Sequence, residues 1–263
     1  MKIAVTGKGG VGKTTIAATL ARLYAEEGHP VLAADVDPDA NLGLALGFPE
    51  EILDSIIPIT KMRKLIEERT EASADNRFYK INPRVSDIPD KYSKEYNGVK
   101  LLTLGTVETA GSGCVCPEHV MLRRIINSLV LHRGDVVILD MEAGLEHLGR
   151  GTTEGMDMFI VVIEPGARSI QTYKNVKRLA EELGVHQVHV VANKYATKKM
   201  RHSYRMPISA AYRRRHRRLQ RKSGCTDLTC RICGAVEAVT LELNRHGGIH
   251  LAHLLLRALG GTR

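Results

Sequence analysis

Along the first 197 residues, short apolar runs alternate with stretches in which apolar positions recur every three or four residues. The runs at 3–5, 31–37 (VLAADVD), 99–105 (VKLLTLG), 136–141 (VVILDM), 158–164 (MFIVVIE) and 188–194 (VHVVANK) read as strands. They are continuously apolar rather than alternating, as strands covered on both faces are. Helical periodicity fills the gaps. Residues 14–27 read as a helix stopped by Gly28, 118–132 as a second, and 169–183 as an amphipathic helix stopped by Gly184. After the second strand come a turn-rich PDANLG, a helical stretch interrupted by Pro58, and a polar segment, 69–97, of weak periodicity. Strands alternating with helices predict an α/β fold: a doubly wound, mostly parallel sheet with its ligand at the carboxyl edge.

Composition adds bounds. The chain has 263 residues, 43% of them hydrophobic, enough for one large core or one domain with an appendage. No apolar run approaches the ~18 residues of a membrane span, and the N-terminus enters a strand rather than a signal peptide, so the expected location is cytoplasmic. Five cysteines in such a chain suggest thiols or metal ligands, not a disulfide framework. The net charge of +9 is unevenly spread: residues 198–263 hold 15 of the 38 Lys and Arg but 3 of the 29 Asp and Glu. This break divides the chain into a domain at 1–196 and a basic segment at 197–263.

The chemistry begins at the first strand-to-helix turn. Gly7, Gly12, Lys13 and Thr14 satisfy G-x-x-x-x-G-K-[ST], a phosphate-binding loop that grips phosphate oxygens with backbone N–H groups at a helix N-terminus. Gly7, Lys8, Gly9, Gly10, Val11, Gly12, Lys13, Thr14 and Thr15 form this candidate nucleotide contact, with Lys13 on the β- and γ-phosphates and the Thr14 hydroxyl on Mg²⁺. The second strand ends in Asp35-Val36-Asp37-Pro38, which should face the mouth of the loop; the alternative is that these aspartates cap the following turn. VVILDMEAG places Asp140 after four apolar residues, where its carboxylate would hold a water on Mg²⁺ and the Gly144 N–H could contact the γ-phosphate. Asn193 closes the last strand. Cys114-Val115-Cys116 sits in a glycine-flanked loop before a helix. These two thiols cannot easily bridge each other and do not complete a tetrahedral site, but two from each of two subunits would make a Cys₄ set for Zn²⁺ or another thiophilic ion. Two buried small residues are the bland alternative.

Lys8 inside the loop gives KGGVGKTT, which resembles the deviant phosphate loop of the dimeric ATPases related to the Min and Par proteins. With DVDPDAN, GCVCPE, DMEAGLEHLGRGT and VIEPGARSIQT, the resemblance becomes close to the CooC-type nickel-insertion ATPases and covers nearly all of residues 1–196. It implies a homodimer that hydrolyses ATP with Mg²⁺ and helps load a nickel-containing carbon monoxide dehydrogenase or acetyl-CoA synthase. By position, it implies that Lys8 reaches the partner's nucleotide and that Asp37 orients or deprotonates the attacking water, so Lys8, Lys13 and Asp37 form the catalytic set. Asp35 would support the Mg²⁺ shell with Thr14 and Asp140, and Asn193 would read the adenine edge. Cys114 and Cys116 would hold Ni²⁺ or Zn²⁺ at the dimer interface.

After Tyr195 the resemblance fails. Three readings of the basic segment stand side by side: a patch for nucleic acid or an acidic surface over 213–221, a Zn²⁺ site on Cys225, Cys230 and Cys233 with His246 or His250, and an out-of-frame ending. Nucleic acid is the less expected partner, because few aromatics interleave with the arginines. A Par- or Min-like ATPase acting on DNA or membrane is the competing function, and the C-x-C loop is what discriminates against it.

Overall fold

The computed structural model describes residues 1–72, 79–106, 117–129, 134–141, 155–164, 166–182, 184–185 and 187–193. Among them, seven strands form one sheet: β1 (Lys2–Thr6), β2 (Val31–Asp35), β3 (Lys94–Tyr96), β4 (Val99–Thr103), β5 (Val136–Asp140), β6 (Met158–Ile163) and β7 (Gln187–Ala192). Their order is β3-β4-β2-β5-β1-β6-β7, and every pairing is parallel except β3 with β4. The helices are α1 (Lys13–Glu26), α2 (Leu42–Ala45), α3 (Glu50–Asp54), α4 (Arg63–Thr70), α5 (Ile88–Tyr92), α6 (Pro117–Ser128) and α7 (Ala167–Glu182). The doubly wound, mostly parallel sheet expected from the apolar runs is present.

The continuous apolar strands serve two cores. Ile3, Val5, Ala33, Ile138, Ile160 and Val162 point to one face, where Ile16, Leu20 and Leu23 of α1 cover them. Their alternating neighbours Ala4, Ala34, Leu139, Phe159 and Val161 point to the other, under Met121, Ile125 and Ile126 of α6 and Val176 and Ala180 of α7. With a period of two, both faces must be apolar for a strand to be buried on both sides. Each large side chain buried this way contributes about 1.5–3 kcal/mol.

The polar segment 69–97 is more structured than its periodicity suggests. It holds α5 and the edge strand β3, which returns on β4 through a two-residue turn, Asn97-Gly98, with φ of 49° and 76°. Asn-Gly is the strongest short hairpin signal, because both turn residues need positive φ; the Tyr96 ring packs on Phe48 at 5.4 Å and anchors the strand. Pro58 does break the helical stretch, leaving α3, a 3₁₀ turn at Ile59–Lys61, and α4. At the amino edge, the buried Lys2 ammonium donates to the Ile126 carbonyl at 3.1 Å, satisfying the last turn of α6. Burial there lowers the Lys2 pKa.

Candidate nucleotide site

The loop from Gly7 to Gly12 joins β1 to α1 at the carboxyl edge of the sheet. Two of its glycines are required by geometry. A side chain at Gly7 would collide with the Val162 carbonyl of β6, and Gly12 has φ 98° at the start of α1, where a β-carbon would stand 2.5 Å from Asn193 Nδ2. The first turn of α1 has neither a side-chain cap nor an acidic residue, so its N–H groups and positive dipole end remain for an anion. Lys13 is 6% exposed and folds over the loop, with Nζ 3.5 Å from the Lys8 carbonyl. Lys8 and Thr14 are half-buried, and Gly9, Gly10 and Thr15 are exposed.

Three carboxylates lie at the same edge. Asp35 and Asp140 end adjacent strands in register and are both fully buried. Asp35 Oδ1 accepts from the Asp37 N–H at 3.1 Å and Oδ2 from the Leu42 N–H at 2.8 Å, which closes the turn that begins at Val36. That turn takes the chain out of the sheet two residues before the apolar run predicts. Burial pushes the Asp35 carboxyl up to about 7, against the pull of those two hydrogen bonds. Among the described residues, Asp140 has no hydrogen-bond partner on either oxygen. Burial raises its pKa, while the nearby Thr14 hydroxyl and Lys13 charge lower it. An orphaned buried carboxylate beside a hydroxyl and the phosphate-loop lysine fits a hydrated divalent cation, which would neutralise it. Asp37 is half-buried, and its Oδ1 accepts from the Asp39 N–H at 3.1 Å.

The fold thus gathers Gly7 to Thr15, Asp35, Asp37, Asp140 and Asn193 at one edge, the last with its Nδ2 donating to the Val11 carbonyl at 2.9 Å. Gly144, Cys114 and Cys116 lie outside the described residues. Sequence reasoning missed the Val162 carbonyl against Gly7. It also missed Arg22 of α1, whose Nη2 donates to the Leu46 carbonyl at 2.8 Å and ties the phosphate-loop helix to α2. A backbone contact and a helix-end contact between distant segments leave no local pattern.

A family model described as the CobQ/CobB/MinD/ParA nucleotide binding domain matches residues 2–218. The chain belongs to that family. Within it, 198 residues are 51% identical to the carbon monoxide dehydrogenase accessory protein CooC of Rhodospirillum rubrum, covering 75% of each chain. An uncharacterised ATP-binding protein of Methanocaldococcus jannaschii is 48% identical over 196 residues, 74% of this chain and 75% of that one. Among solved structures, a plasmid partition protein of Borrelia burgdorferi B31 bound to AMPPNP superposes with a TM-score of 0.54 at 16% identity, over 98% of this chain and 97% of that one. At that identity the likeness is one of fold. The Gly7–Thr15 loop lies within the span that the CobQ/CobB/MinD/ParA nucleotide binding domain model matches.

Proposed function

We propose that the protein is a cytoplasmic, Mg²⁺-dependent ATPase that works as a metallochaperone, helping to insert nickel into carbon monoxide dehydrogenase or acetyl-CoA synthase. The observation that carries this reading is the Cys114-Val115-Cys116 motif in a nucleotide-binding chain 51% identical to a carbon monoxide dehydrogenase accessory protein. The substrates are ATP with water, and the cargo is Ni²⁺ or Zn²⁺ held between two copies of the chain.

The loop N–H groups and Lys13 bind the triphosphate, and Lys8 reaches the nucleotide of the second copy. Asp37 orients the attacking water or takes its proton, and the Gly144 N–H contacts the γ-phosphate. Asn193 belongs to the same nucleotide pocket. Thr14 and Asp140, with Asp35 behind them, would hold Mg²⁺, which when bound supplies charge neutralisation on the phosphates. Positioning and electrostatic stabilisation account for nearly all of the rate enhancement in phosphoryl transfer, so this set is chemically sufficient.

The dimer follows from stoichiometry: two thiolates make half a tetrahedral site, and a symmetric second chain provides the other half. ATP and metal then favour the same dimer, so each strengthens binding of the other. Acid weakens metal binding because protons compete for sulfur. A Par- or Min-like role would rest on likeness of fold and on the basic segment, whose residues lie outside those described. Equilibrium dialysis against Ni²⁺ with ATP decides the matter. One ion per two chains is expected for wild type and loss of that ion for Cys114→Ser/Cys116→Ser; equal binding by both proteins overturns the proposal.

A further inference from the structure

The phosphate loop is braced from behind by the ends of two strands that contribute none of its own residues. β6 sets the Val162 carbonyl against Gly7. β7 is followed by Asn193, whose backbone N–H donates to the Ile163 carbonyl at 2.7 Å and whose Nδ2 donates to the Val11 carbonyl at 2.9 Å. The same Nδ2 stands 2.5 Å from where a β-carbon on Gly12 would be. The amide is therefore seated on the two residues that lead directly into α1. Val11 is fully buried, so its carbonyl needs a partner inside the protein, and Asn193 provides one.

This bond fixes a direction as well as a distance. The Val11–Gly12 peptide is planar and trans, so its C=O and N–H point in opposite directions. Holding the Val11 oxygen toward Asn193 turns the Gly12 N–H away from β7. The Gly12 N–H is one of the donors that a phosphate-binding loop uses, and Gly12, with φ 98°, is the residue that starts α1.

We propose that Asn193 is a positioning residue for the triphosphate: it acts by orienting the Val11–Gly12 peptide, and its effect does not depend on the base. The proposal rests on the reading of the loop as a nucleoside-triphosphate site. It differs from recognition of adenine in one measurable respect, since a ligand without a base must feel the loss of Asn193 as strongly as ATP does.

The test compares MgATP with magnesium tripolyphosphate by titration calorimetry on wild type, Asn193→Ala and Asn193→Asp, at pH 7.5 and in acid. One hydrogen bond of this kind is worth roughly a three- to tenfold change in affinity. Asn193→Ala should lose that factor for both ligands at pH 7.5, and Asn193→Asp at least as much, because its carboxylate also repels the Val11 carbonyl oxygen. In Asn193→Asp the shape of the side chain is kept and the donor is lost. Protonation of the new carboxyl would restore an O–H donor to Val11, so binding relative to wild type should recover in acid for Asn193→Asp and not for Asn193→Ala. Should Asn193→Ala fail to fold, the comparison of MgATP with magnesium tripolyphosphate on Asn193→Asp carries the test, since the two ligands differ in the nucleoside alone. Weaker ATP with unchanged tripolyphosphate makes Asn193 a base reader and overturns the proposal, as does no change for either ligand. Wild-type protein that binds neither ligand overturns the nucleotide reading itself, and this inference with it.

Discussion

Asp35 and Asp140 end neighbouring strands at the same level of the sheet, and the fold treats them in opposite ways. Both are fully buried, and burial raises both carboxyls. Asp35 receives backbone N–H donors from Asp37 and Leu42, and so becomes the clasp of the turn between β2 and α2. Among the described residues, Asp140 receives no backbone N–H, and only the Thr14 hydroxyl and the Lys13 charge favour its ionised form. A buried charge that is satisfied holds a loop, whereas one left unsatisfied is a cost retained for something that arrives later. The two strand ends thus differ in hydrogen bonding, and the difference lies in where the neighbouring N–H groups point.

The largest expected effect breaks the contrast at Asp140. An amide in place of this carboxylate cannot be an anion, so Asp140→Asn should lower Mg²⁺-dependent ATP hydrolysis by about 10²-fold or more. The same change should raise the stability of the nucleotide-free protein by roughly 1 kcal/mol, since burial disfavours this carboxylate by more than the Thr14 hydroxyl and the Lys13 charge offset. Steady-state turnover and denaturant midpoints on one preparation would check both. Unchanged turnover, or a lower midpoint, would remove the distinction between the two aspartates.

A smaller effect is expected at the clasp. Asp35→Ala leaves the Asp37 and Leu42 N–H groups without their acceptor and should cost roughly 2 kcal/mol, with Asp35→Asn, which retains one acceptor oxygen, costing less. Faster proteolytic cleavage within 36–41 should accompany the loss, measured as the rate of the first cut. If Asp35→Ala proves as stable as wild type, the turn is held by something else.

The smallest is a slope with pH. The Asp35 pKa in the folded chain, about 7, lies above the ordinary carboxylate value, so the folded state keeps a proton that the unfolded chain releases. That contribution is complete below about pH 4 and is lost as pH rises through about 7. In chelator and without nucleotide, wild type should therefore lose stability relative to Asp35→Asn across this window. Asp87 has the opposite sign: hydrogen bonds from Arg69 and Lys91 hold its carboxyl below the ordinary range, so its contribution is lost toward acid. Parallel curves for wild type and Asp35→Asn between pH 4 and 7 would show that Asp35 is already ionised in the folded protein.

The core of the fold was legible because parallel strands buried on both faces must be apolar throughout, and the runs at β1, β2, β4, β5, β6 and β7 announce themselves. The loop was legible because Gly7 and Gly12 are demanded by close approach and positive φ, which few other residues tolerate. Lys94–Tyr96 was not, since an exposed edge strand carries polar residues and its pairing is supplied by β4 and by the Phe48 ring. Asn97-Gly98 was the available signal. At the site, the identities of Asp35 and Asp140 could be read from strand ends, but their unequal hydrogen bonding could not: it depends on the path of the chain from Val36 to Leu42. Asn193 was found for a base contact, while its bond to Val11 joins residues 182 apart in sequence.

The position of β7 in the chain has an evolutionary consequence. Every described residue of the pocket, from Gly7 to Asn193, is encoded before codon 194, and the last of them directly follows the outermost strand among the described residues. Selection on phosphate chemistry and selection on whatever follows can therefore act on separate stretches of the gene. A change confined to codons after 193 leaves every described residue of the phosphate grip unaltered in sequence.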